Sequence, residues 1–317
     1  MSYFKTDNPP VGAVFTYYLK EAPKTMQQER RKAEKKLVKE GKDVDWPSWD
    51  DLRKEDNEEK AKLVFTVRDA AGKVVRRLTK SPSSGMHRVV WDFHYPSTSP
   101  VSLRKRSGYS PYASEDKGPR AAPGNYTVEL AMIKEGAVTQ LVDKQSFKVV
   151  PLNNSTLPAK DMKQSEAFLK RVAEVNRAVS SAGRVARELN TKVNHIEEAL
   201  KLTPSAPLSM MAEVQKMKTR LRDIRYAMYG DPTKSRRQFT GDPTIAGRIG
   251  TVEWTYSSTR SEPTETMKQQ VSIVEEEFAP VLKDLKQIVT DIAAMEKKLE
   301  SIGAPYTPGR MPNWEKP

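Results

Sequence analysis

Apolar residues recur along this chain with two different periods, and the change falls at Pro151. Before it, short apolar runs sit between turn signals; after it, apolar residues return every three or four positions over long stretches. Residues 11–19, VGAVFTYYL, are rich in valine and aromatics and follow Pro9-Pro10, which predicts a strand. Further strands are expected near 62–69, 73–79, 86–94, 125–134 and 138–150, with DAAGK at 69–73 and EGA at 135–137 as tight turns. Between the first strand and the second, residues 24–42 combine strong helix formers with a Gly41 stop. Ser48 followed by Asp51 has the spacing of a capping box, so 20–60 reads as a charged helical hairpin inserted between two strands. Short strands with frequent turn signals predict an antiparallel β-sandwich over 1–151, with the insertion at about 22–60 and a long loop at about 94–122.

Beyond Pro151, Phe168, Val172, Val175, Val179, Ala182, Ala186, Leu189, Val193, Ile196 and Leu200 follow a strict four–three spacing. The pattern returns from Met267 through Val274, Val281, Ile288 and Met295 to Ile302, with a shorter run of Met211, Val214, Met217, Leu221, Ile224 and Met228 between. A sustained repeat of this kind keeps one seam toward a partner helix. Turn residues at 203–207 and a break at 230–263 favour a folded-back, antiparallel, coiled-coil-like three-helix bundle over 157–303. Pro280 should kink its last helix. Residue 230–263 is then an irregular loop and 304–317 an extended tail.

Charge changes the picture in places. The net charge is +13, and 24–42 contributes eight basic against three acidic residues, as does 218–248, each a net +5. Segment 101–120 adds five against two, a net +3, so the rest of the chain is neutral and the positive charge is patchy. On helix 24–42 these charges are expected around the whole circumference. No stretch has the length and apolarity of a membrane span. No basic segment with an apolar core opens MSYFKTDNPPVGAVF, so no signal peptide is expected there; the chain is either cytosolic or a piece of a longer exported protein. With no cysteine, disulfides, thiol nucleophiles and thiolate metal sites are excluded.

The search for chemistry finds little. His87 and His94 flank one strand on opposite faces and cannot share a metal; His195 sits beside a helical seam. No HExxH, GxGxxG or GxxxxGK[ST] motif occurs, and SLRK at 102–105 matches SxxK without support. Adjacent carboxylates such as Asp50-Asp51 read as solvated helix faces. No catalytic residue, cofactor or metal ligand is expected. Candidate interaction residues are Arg236, Arg237 and Trp254 in the 230–263 break, which together with Arg248 could pair phosphates with a stacked base, although no nucleic-acid-binding signature accompanies them. Tyr109 and Tyr112 in the long loop could form a sugar platform with Trp91, but Trp91 reads better as core.

The β segment nevertheless carries a recognisable pattern. Asp69, Gly72, Val75, Arg76 and Leu78, then Gly85, His87, Val89, Trp91 and Asp92, then Ala122, Pro123, Gly124, Tyr126, Thr127 and Val128, resemble the immunoglobulin-like domain of the flagellar hook-capping protein. The insertion between Asp92 and Ala122 departs from that pattern. NPPVGAVFTYYLK, the β module, helices with GDPT, and GAPYTPGRMPNW together resemble the C-terminal region of bacterial exported proteins with BNR-repeat, sortilin-like β-propellers, often labelled glycosyl hydrolases. No BNR Asp-box occurs in this chain. The resemblance implies an exported parent (periplasmic, surface or secreted) and a non-catalytic accessory module docking on its propeller or on a cell-surface protein, with a glycan as a possible ligand. The competing expectation is a region that completes the active site of a propeller glycoside hydrolase. A basic nucleic-acid-binding protein is the third.

Overall fold

A computed structural model describes residues 8–103, 116–152, 156–257, 259, 261–314 and 316. The chain is mixed, with two antiparallel sheets and seven helices among the described residues. It divides into two compact units, one holding Met1–Pro96 and Arg120–Asn154, the other Ser97–Pro119 and Ser155–Pro317. The front of the long loop therefore belongs with the helices rather than with the strands. Two hydrogen bonds account for this: Thr98 Oγ1 donates to the Ala173 carbonyl at 3.3 Å, and Arg184 donates to the carbonyl of Val101.

In the first unit, β1 (Ala13–Leu19) pairs with β4 (Gly85–Trp91), while β3 (Val74–Lys80), β2 (Lys62–Asp69), β5 (Gly124–Lys134) and β6 (Ala137–Val149) form a second sheet in that order. Each expected strand is present within a few residues. The β2–β3 turn shows why its residues are needed. Asp69 Oδ1 accepts from the backbone N–H of Ala71 at 3.0 Å and of Lys73 at 2.9 Å. Gly72 meanwhile takes φ 78°, a region that a side chain disfavours. Both sheets contribute to one apolar cluster: Val67, Val75 and Tyr126 from one, Trp91 with Ala13 and Phe15 from the other. Trp91 is fully buried and stacks edge-on against Tyr126, with ring centroids 5.1 Å apart. Its indole N–H donates to the His94 carbonyl at 3.1 Å, so burial leaves no orphan donor.

Between β1 and β2 lie α1 (Met26–Lys39) and α2 (Trp49–Asn57), the expected hairpin. Thr25 and Gln28 close a complete capping box on α1, and Ser48 Oγ accepts from Asp51 N at 3.1 Å to start α2. Neither helix buries a residue. Arg30 fixes one to the other: its guanidinium donates twice to Glu55, at 2.6 and 2.9 Å, and once to Glu34. The charges of α1 are not spread evenly. The half-buried side near α2 holds Arg30, Glu34 and Leu37, whereas Arg31, Lys32, Lys35 and Lys39 lie exposed. Ion pairing holds Arg30 and Glu34 on the half-buried side, and the remaining cations of α1 are exposed.

The second unit is built on α3 (Met162–Lys201), α4 (Leu208–Tyr229), α5 (Pro232–Arg236), α6 (Ile245–Ser257) and α7 (Glu265–Ser301). Ion pairs reveal their directions. Arg171 meets Glu275 and Lys192 meets Glu296, both 104 residues apart, so α3 and α7 run parallel. Lys298 meets Glu213 while Arg220 meets Asp291, so α4 runs against α7. Asn176 with Glu253 and Phe168 with Tyr256 set α6 against α3 as well. The descending layer is therefore one helix in two pieces: α4 flanks the later half of α3 and α6 the earlier half. The sequence reading places an irregular loop over 230–263 and misses α6. Gly247 and Gly250 lower its helix propensity, but Ile245, Ile249, Val252 and Tyr256 are all buried, and that packing holds the helix. The middle seam also starts one residue earlier, at Met210, with Met211 only partly buried. Helix α7 continues across Pro280.

Candidate functional site

The residues singled out from the sequence lie in different surroundings. Arg236 ends the short helix α5 and is exposed; Arg237 follows it and donates to the Thr233 carbonyl at 3.2 Å. Trp254 projects from α6 with 78% of its surface exposed, on the side opposite the buried Val252 and Tyr256. No hydrogen bond, ion pair or ring contact joins Trp254 to either arginine among the described residues. Arg248, of the same basic region, is a packing residue: its Nη1 donates to Gln270 Oε1 of α7 at 2.6 Å. Tyr109 and Tyr112 lie outside the described residues.

The segment joining α4 to α6 is a closed excursion. A Cβ placed on Gly230 would stand 3.2 Å from the Thr244 methyl, so the loop ends nearly touch. Each end carries the sequence GDPT. In the first copy Asp231 accepts from both the N–H and the hydroxyl of Thr233 at 2.8 Å, and these bonds lower its carboxyl pKa. In the second, Thr244 Oγ1 accepts from the N–H of Gly247 at 3.1 Å and opens α6. Arg236 and Arg237 thus ride on a compact loop whose anchoring acids and hydroxyls are already used.

Two hollows exist. One, of about 570 Å³, is an open groove over the four-stranded sheet, lined by Arg68, Tyr126, Lys144 and Lys148 among others. Arg68 there is held by Glu129 Oε1 at 2.8 Å and the Gly72 carbonyl at 3.2 Å, so each of its guanidinium nitrogens already donates within the sheet. The second, of about 430 Å³, lies between α1, α2 and the segment joining them. It is lined by Arg30, Lys54 and several carboxylates, including Asp43, Asp45 and Glu55. Trp46 and Trp49 beside it are 80% and 72% exposed. The sequence reading takes this region as a charged helical hairpin with solvated carboxylates and places no site there; the signal available was the reversal of charge, with eight acidic and two basic residues over 43–59 immediately after the basic 24–42.

Several carboxyls paired with cations or hydrogen-bond donors are lowered, and among the described residues one is raised. Glu253 on α6 is raised above its ordinary value by burial, partly offset by the hydrogen bond from Asn176 at 2.7 Å. It faces α3 and serves the packing of α6. His87 bonds Ser83 and the Ser84 carbonyl, and His94 bonds the Asp92 carbonyl and accepts from Arg120 Nε at 3.5 Å. Among the described residues no group of three or more His, Cys, Asp or Glu side chains is placed to hold a metal ion, and no helix is long and apolar enough to cross a membrane. Compared with protein-family models, curated proteins and solved structures, the chain matches none of them.

Proposed function

We propose that this chain is a non-catalytic accessory and interaction module, the C-terminal part of an exported β-propeller protein, whose immunoglobulin-like sandwich and helical bundle dock or scaffold rather than catalyse. One observation carries the reading: the motif residues of the β segment are spent on building it. Asp69 and Gly72 close a turn, Trp91 fills the core with its indole N–H satisfied, and the Tyr126 hydroxyl donates to the Ala122 carbonyl at 2.5 Å. A tyrosine bonding backbone four residues upstream, next to a buried tryptophan between sheets, is the internal furniture of immunoglobulin-like sandwiches. Asp69, Gly72 and Tyr126 also border the open groove over the four-stranded sheet, but Asp69 Oδ1 and the Tyr126 hydroxyl are already engaged in the turn and in the core.

The test mixes the full chain with the propeller of such a parent protein and follows the mixture by size-exclusion chromatography with light scattering and by a glycan-hydrolysis screen. A stable complex without new hydrolysis supports the module. Hydrolysis seen only in the mixture would show that this chain completes an active site and would overturn it.

A further inference from the structure

The α1–α2 hairpin is the least self-sufficient part of the molecule. Its first arm, 24–42, carries a net +5; its second, 43–59, carries eight acidic and two basic residues, a net −6. The two arms neutralise each other only along their seam, through Arg30, Glu34 and Glu55. On the outward side, Arg31, Lys32, Lys35 and Lys39 have no carboxylate within 4 Å among the described residues. Lys24 lies against Lys32, and the contact and repulsion between the two ammonium groups lower the Lys24 pKa from its ordinary value. The acidic arm mirrors this: exposed Asp43, Asp45 and Asp56 have no cation within 4 Å among the described residues. Trp46 and Trp49 stand exposed on that same arm. Indole faces attract cations, and tryptophan and arginine are the residues on which protein interfaces most often turn.

We propose that the hairpin is a self-association site: the cationic face of α1 on one copy lies on the acidic, tryptophan-bearing 43–59 arm of a second copy, twice, about a two-fold axis. Charge complementarity selects this occupant. One hairpin holds both halves of the contact, so an isologous pair satisfies all four faces at once. A polyanion such as nucleic acid would meet the lysines but be repelled by the adjacent acidic arm. An acidic protein would leave the aspartates and tryptophans uncovered. The inference is independent of the accessory-module reading.

Sedimentation velocity on the full chain tests it, with salt as the first lever. The expected result is a reversible dimer whose dissociation constant rises at least ~10-fold between ~50 mM and ~500 mM NaCl, because exposed charge pairs are screened over that range. Two charge-reversed variants then decide the contact. One carries Arg31→Glu, Lys32→Glu and Lys35→Glu; the other carries Asp43→Lys, Asp45→Lys and Asp56→Lys. Each is expected to be monomeric alone, while an equimolar mixture regains the dimer because each reversed arm meets its new complement. Recovery in the mixture also shows that both variants are folded. Trp46→Ala, which changes no charge, should weaken the wild-type dimer several-fold. A wild-type chain that stays monomeric at ~100 µM and ~50 mM salt overturns the proposal. So does a dimer that persists in both variants, or a mixture that stays monomeric.

Discussion

Two helical regions of this molecule are made in opposite ways. In the second unit, α3, α4, α6 and α7 enclose one continuous core in which Val193, Ile196, Val271, Ile288 and Leu299 are wholly buried. In the first, α1 and α2 bury nothing and are held by caps, a seam of ion pairs and the turn between them. The contrast separates helix formation from helix packing. Helices of 14 and 9 residues are marginal alone, since nucleation is costly and only about 12–15 residues repay it. In the bundle, apolar burial supplies the difference, to the point of holding α6 despite two glycines. In the hairpin, electrostatics supplies it, and electrostatics answers to salt and pH where burial does not.

The comparison breaks most sharply at the core. Ile288→Ala in α7 removes a fully buried side chain and should cost about 3–4 kcal/mol of unfolding free energy. Leu37→Ala in α1, at a half-buried position, should cost under about 1 kcal/mol, and guanidinium titration of both variants checks the gap. A smaller effect is expected where α3 meets α4. An alanine Cβ at Gly183 would stand 1.8 Å from the Tyr229 hydroxyl, so Gly183→Ala forces that ring aside. Overpacking should outweigh the gain of about 1 kcal/mol in helix propensity, giving a net loss of about 1–2 kcal/mol. Truncation of the ring, Tyr229→Ala, should turn the same glycine substitution from destabilising to stabilising in a double-mutant cycle.

The smallest effect is the one that isolates the hairpin. Its hydrogen bonds from Arg30 hold the Glu55 carboxyl below the ordinary carboxylate range. A carboxyl depressed in the folded state contributes stability above its unfolded pKa and loses it as pH falls. Helicity of the hairpin should therefore fade below about pH 4.3, while the bundle keeps its own. Arg30→Gln should lower hairpin protection at neutral pH and flatten that pH dependence. Amide exchange resolved over 26–57 reads both, and a hairpin that protects its amides equally at all pH values would contradict the electrostatic account.

Much of the fold was legible because its signals are local. The strand limits follow from Pro9-Pro10, the Asp69–Gly72 turn and the 135–137 turn, the end of α1 from Gly41, and the cap of α2 from Ser48 and Asp51. The seams of α3 and α7 followed from spacing alone. What was missed depended on distance along the chain. Helix α6 was hidden because its glycines and short length look like loop until Val252 and Tyr256 are seen packed inside. Of the candidate residues, Arg236 and Arg237 were found together on one exposed loop, whereas Trp254 stands on a neighbouring helix without contact to them. Arg248 was misread as available because only the fold reveals Gln270 beside it.

By itself, then, the sequence determined where backbone hydrogen bonds begin and end, which faces are apolar, and that no cysteine chemistry is possible, since each of these depends on residues within a few positions of one another. Tertiary structure alone decided that β1 skips the inserted hairpin to pair with β4, that α4 and α6 share one layer, and that the hairpin's charges sort into an ion-paired seam and two outward faces of opposite sign. Those outcomes hang on contacts between residues far apart in the chain, such as Arg30 with Glu55 and Asn176 with Glu253, and local periodicity carries no information about which distant partner a side chain will meet.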